Sequence, residues 1–218
     1  MTERKRNAAG RKASEGSPKA AVPWFKRCLL AVGKALATIA FLAVSGWLIR
    51  CGALRLRDGN LGMHGAVGVV ACFAGILLFH HFPLIPLYIF GHELIHWFTA
   101  KLFRLRTGRI RLRRNQGSVE IDHPNVWVIL APYFVPFYAL LFLGMLGQLY
   151  WFVPQPPPWV GWLAAILIGL SYGYHIALTW RALRMGQEDL RIHGVLFSLS
   201  LIAMMNLLLL YGGIRLLV

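Results

Sequence analysis

Residues 84–103 read "LIPLYIFGHELIHWFTAKLF". A run of about 20 apolar residues is long enough to span a hydrocarbon core as a helix, at about 1.5 Å per residue. Yet His92, Glu93 and His96 stand in the middle of it, where an ionisable group is costly and usually marks function. On a helix, residues four apart share a face, so His92 and His96 lie one turn above the other. Glu93 is offset by one residue and points beside whatever the two imidazoles hold. Of the eight Asp and Glu in the chain, only Glu93 lies well inside an apolar run.

Similar runs recur at 28–49, 64–82, 125–150, 158–180 and 194–216. The chain has 218 residues, 57% of them hydrophobic and 14% charged, too little charge to cover a soluble domain of this size. These features predict an all-α polytopic membrane protein of about five to six transmembrane helices, with a small β-hairpin inserted after the 84–103 helix. Residues 1–27 read as a disordered basic tail, 28–83 as accessory membrane helices and 84–216 as the membrane core. The net charge of +15 does not indicate nucleic acid. Eight Lys and Arg fall in 1–27, seven in 101–114 and three in 181–191, at the tail and in loops, with no aromatic-interleaved basic module. Cys28, Cys51 and Cys72 have no metal or redox spacing.

The stretch "YWFVPQPPPW" at 150–159 carries no Lys or Arg and reads as an outer loop; the basic loop 101–124 then lies inside. Counting forward from a cytosolic tail puts that same loop outside, unless one of the first three runs does not cross. The shortest of these is 64–82. Within the basic loop, "TGRIRLRRNQGSVEID" at 107–122 alternates apolar and polar residues around a Gly-containing turn. That period of two predicts a hairpin in which Arg109, Arg111 and Arg113 face Glu120 and Asp122. Its edge is a candidate substrate-binding strand.

Two His at i and i+4 with a Glu between them form HExxH, in which the imidazoles hold Zn²⁺ and the Glu takes a proton from the attacking water. Chance supplies about 0.01 matches in a chain of this composition. A catalytic zinc takes three protein ligands and leaves one position open. Depth points to His175 as the third. His96 and His92 lie ~10 and ~16 Å from the inner end of their run, and His175 about 8–13 Å from the inner end of 158–180. Asp189 in "MGQEDL" is the competing ligand, at the cytosolic margin unless the chain folds back. Tyr133, Tyr138 and Asn206 are polar groups on other runs that either reach the site or bond between helices. Pro132 and Pro136 predict a kink in the run 125–150.

The stretches "GHELIHWF", "GSVEIDHPNVWVILAPYFVPFYALL" and "YGYHIALTWRALRMGQEDLRIHGVLFS" together resemble the site-2 protease family of intramembrane zinc metalloproteases, over roughly residues 84–206. The likeness is to its compact bacterial branch. The resemblance implies zinc at His92 and His96, Glu93 as general base, and hydrolysis of a membrane-embedded or membrane-proximal peptide bond. It also implies a multi-pass location in a bacterial inner membrane. The chain departs from the family pattern in two places. The usual Asp-Gly ligand motif occurs only as Asp58-Gly59, with Asp189 and Gly194 a loose analogue, and "APYFVP" at 131–136 replaces Gly-Pro-x-x-Asn.

Other classes make different demands. A transporter would show paired charges or interrupted helices in matching halves, and no internal repeat is present. A b-type haem needs imidazoles on opposite faces, which His96 with His175 supplies and His92 with His96 does not. A catalytically inactive relative that binds membrane segments carries the same motifs, and only activity separates it. The substrate, the oligomeric state and the regulatory partners leave no signature in the sequence.

Overall fold

The computed structural model describes residues 23–58, 62–113, 116–153 and 155–217. The basic tail up to residue 22 and the hairpin turn at 114–115 lie outside the described residues. The chain divides after Ala37 into two compact units. The first contributes the start of helix α1, Trp24–Asp58, which begins inside the stretch read as tail. The rest of the described chain, from Thr38 on, belongs to the second.

Helix α2 runs Met63–His81 and α3 runs Ile85–Leu102. Strands β1, Thr107–Arg113, and β2, Gln116–Ile121, follow as the expected antiparallel hairpin. A short helix α4, Val126–Leu130, leads through a 3₁₀ turn at Ala131–Tyr133 into α5, Phe137–Phe152. Then come the long α6, Pro158–Arg184, the six-residue α7, Glu188–His193, and α8, Val195–Leu217.

This is an all-α polytopic membrane protein with a hairpin after α3. Among the described residues, four helices are long and apolar enough to cross a membrane: Trp24–Leu54, Met63–His81, Pro158–Arg184 and Val195–Gly213. A fifth candidate span is broken, with Val126–Tyr133 and Phe137–Phe152 meeting at a bend of 80°. Pro136 has no N–H to continue a helix and sits at that break, so the kink read from the prolines is realised as a sharp turn. Helix α3 is not among the four, since His92, Glu93, His96 and Lys101 dilute its apolar character. Large apolar side chains such as Phe73 (65% exposed) and Leu196 (69%) face outward, as suits a hydrocarbon solvent rather than water.

Helices α2 and α6 approach closely because glycine lines their contact. A Cβ on Gly169 would run into the Gly68 carbonyl oxygen, and one on Gly173 into that of Cys72. In lipid, where apolar burial no longer drives helices together, such backbone proximity supplies the packing. A second cluster unites Ile95 of α3, Leu130 and Tyr133 of the α4 segment, Ala182 of α6, Leu190 of α7 and Leu201 of α8. It gathers α3, the broken span, the end of α6 and the start of α8 with α7.

The hairpin pairs Ile110 with Val119, Arg111 with Ser118 and Leu112 with Gly117, with an irregularity between Thr107 and Ile110. Arg111 and Glu120 form the expected cross-strand ion pair at 3.3 Å, but both side chains are more than two-thirds exposed. Such a pair contributes about 0–1 kcal/mol. What holds the hairpin is its packing against α3. Asp122 pairs with His123 instead of an arginine.

Gly173→Val tests the α2–α6 contact. Over-packing costs about 1–3 kcal/mol even where side chains can yield, and here the obstacle is backbone. The variant is expected to melt at a clearly lower temperature in detergent. Gly144→Val in α5, with nothing within 4 Å of its Cβ position, should melt with the parent.

Candidate metal centre

The Nε2 atoms of His92 and His96 lie 3.2 Å apart on one face of α3. Asp189 Oδ2 stands 3.9 Å from His92 Nε2 and 3.8 Å from His96 Nε2. One donor atom from each of the three residues falls within 4.8 Å of the other two. A tetrahedral zinc with ligands at about 2.0–2.2 Å separates them by about 3.3 Å, so the trio fits an ion after a shift of about half an ångström. Two imidazoles and a carboxylate are a donor set suited to zinc, and three ligands leave a fourth position free.

The chain folds so that Asp189 reaches the imidazoles. Gly186, at φ +70°, turns the backbone out of α6, and Gly194, at φ +97°, turns it again into α8. Between them α7 is drawn inward by Leu190, only 3% exposed. Ser198 Oγ donates to the Leu190 carbonyl at 3.1 Å and ties α7 to α8. The carboxylate is thus carried from the margin into the bundle.

Two of the three donors are held by hydrogen bonds, His96 and Asp189. A carbonyl only accepts, so the 2.8 Å contact between His96 Nδ1 and the Val128 carbonyl places the proton on Nδ1 and the lone pair on Nε2, toward the other donors. That carbonyl is presented by α4, whose N-cap Asn125 accepts from Val128 N at 3.0 Å. Tyr133 Oη donates to Asp189 Oδ2 at 2.9 Å. Asn206 Nδ2 in turn donates to the Tyr133 carbonyl at 3.0 Å.

No protein-family model, curated protein or solved structure matches the chain.

Glu93 is 8% exposed and covered by the hairpin. A Cβ on Gly117 of β2 would stand 2.5 Å from Glu93 Cγ and 2.9 Å from Oε1. Only glycine lets the strand pass so near the carboxylate. A Gly inside an alternating strand is a legible sign of close approach, and it is the one signal the sequence offers for this contact. The Val128 carbonyl left no sequence signal, because a backbone acceptor has no residue type.

His175 is placed differently from the sequence expectation. It lies buried in α6 and lines a small cavity with His92, Tyr88 and Tyr138, but it is not part of the three-residue donor group. The depth estimate assumed that Asp189 stays at the margin, and the fold-back at Gly186 removes that assumption. Tyr138 bonds between helices, donating to the Leu87 carbonyl at 2.7 Å, whereas Tyr133 reaches the donor group directly.

Asp189→Ala is expected to lower zinc uptake in equilibrium dialysis to the level of His96→Ala. Tyr133→Phe, which removes only the hydroxyl, should weaken zinc binding by about tenfold, the low end for loss of a ligand's hydrogen-bonding partner.

Proposed function

We propose that the chain is an intramembrane zinc metalloendopeptidase of a bacterial cell membrane. In this reading His92, His96 and Asp189 hold the metal and Glu93 is the general base. The observation that carries it is the meeting of three metal-type donors, with a buried carboxylate one residue away on the same helix, inside a membrane protein. The resemblance of residues 84–206 to the site-2 protease family supports the same reading. Iron(II) takes the same donor set in oxygenases, but a separate carboxylate beside the ligands is the arrangement that hydrolysis needs.

When bound, zinc polarises the scissile carbonyl and lowers the pKa of water to about 7. Glu93 accepts the proton of the attacking water and returns it to the departing amine. His96 is held in place by the Val128 carbonyl and Asp189 by the Tyr133 hydroxyl, so little reorganisation of these two is needed when substrate arrives.

The substrate is a membrane-embedded or membrane-proximal segment. A transmembrane helix hides its carbonyls in its own hydrogen bonds and must unwind before attack. The hairpin has two strands, each with one unpaired edge, and either can take the unwound segment as an added strand. Gly117 sets β2 directly over Glu93, so a strand paired there runs past the base.

Glu93→Gln is expected to bind zinc as the parent does while cleavage of a reconstituted single-span membrane protein falls by about 10²–10⁴-fold. Cleavage at the parental rate would remove Glu93 as the base. A parent that binds zinc but cuts no membrane segment would instead be an inactive segment-binding relative.

A further inference from the structure

Three buried polar atoms without hydrogen-bond partners belong to residues around one cavity: Tyr88 Oη, His92 Nδ1 and His175 Nε2. The cavity measures ≈ 20 Å³. One water needs roughly 10–15 Å³ on this measure, together with two to four polar partners. Native interiors seldom leave one such atom unsatisfied, and here the three belong to residues that line one small space. Gly91 forms part of the wall, with a Cβ there 3.0 Å from the Tyr138 ring, so the space is bounded by packed aromatic groups.

The donor balance decides what the space holds. If His92 is to offer its Nε2 lone pair to a metal, its proton sits on Nδ1, and that buried N–H has no acceptor among the described residues. On His96 the equivalent proton goes to the Val128 carbonyl at 2.8 Å. His175 is approached by the backbone of Tyr133 and the side chain of Asn206, while its Nε2 is unpartnered. The tautomer with its proton on Nδ1 leaves His175 Nε2 as an acceptor. A water then accepts from His92 Nδ1–H and donates to His175 Nε2, and the Tyr88 hydroxyl completes its shell.

We propose that Tyr88, His92 and His175 bind one ordered water, and that through it His175 is a positioning residue for the His92 imidazole. This rests on the metal-binding reading of the site above. It gives a buried histidine in an apolar span a role other than that of a ligand. It also provides His92 with the support that Val128 gives His96 and Tyr133 gives Asp189.

The test is chelator competition for zinc on the full chain in detergent, comparing the parent with His96→Ala, His175→Phe and His175→Gln. His175→Phe fills the ring volume without an acceptor and is expected to weaken zinc binding by about 10–100-fold. His175→Gln keeps an accepting oxygen and should recover to within about threefold of the parent. Parental affinity in His175→Phe would overturn the proposal. So would complete loss of zinc matching His96→Ala, which would make His175 a ligand. A parent that binds no zinc would bring down the metal reading itself, a result distinct from either. If His175→Phe does not fold, ¹⁵N NMR of the zinc-loaded parent decides. His175 protonated on Nδ1 with a hydrogen-bonded, unprotonated Nε2 supports the relay, and a proton on Nε2 overturns it.

Discussion

The contact on which this molecule turns is that of the Asp189 carboxylate with two imidazoles of α3, at 3.8 and 3.9 Å. Charged and polar groups of this kind are disfavoured within a bilayer unless they satisfy one another. The fold supplies that satisfaction from four directions. Helix α3 brings the imidazoles, the glycine turns around α7 bring the carboxylate, and the broken span brings the Val128 carbonyl and the Tyr133 hydroxyl. Glu93 is shielded by a strand of the hairpin. Each element has a plain packing reason to exist, and together they converge on a volume a few ångströms across.

The division of labour among the helices follows from what lipid does and does not reward. Away from the centre, α2 and α6 meet through glycines and expose their apolar side chains outward. Near it, packing passes to Tyr133, Leu130 and Leu201, which are essentially fully buried. The glycine seam needs no polar partner. The centre cannot be assembled without several, and so tyrosines, an asparagine and bare backbone carbonyls stand there among the leucines.

Much of this was legible from residue types. The apolar runs foretold the membrane helices, the period of two foretold the hairpin, and the spacing of His92 and His96 put them on one face. Pro132 and Pro136 foretold a kink, although not one of 80° that splits a span. The choice between His175 and Asp189 was not legible by depth along straight helices, because a reversal at two glycines with positive φ moves Asp189 independently of its neighbours. Residues that act through their main chain, such as Val128, are invisible to any reading of side-chain chemistry. Gly117 was read as part of the hairpin turn, whereas it stands within β2 against Glu93.

The asparagine on the last helix has a mechanical consequence. Where the broken span loses its helical continuity, the Tyr133 carbonyl is taken up by Asn206 of α8 at 3.0 Å, while the hydroxyl of the same tyrosine grips Asp189. One residue thus tethers two segments, α8 through its main chain and α7 through its side chain. Tyr133 therefore joins α8 to the short helix that bears the acid, so the seating of the last helix and the placement of the carboxylate share one residue.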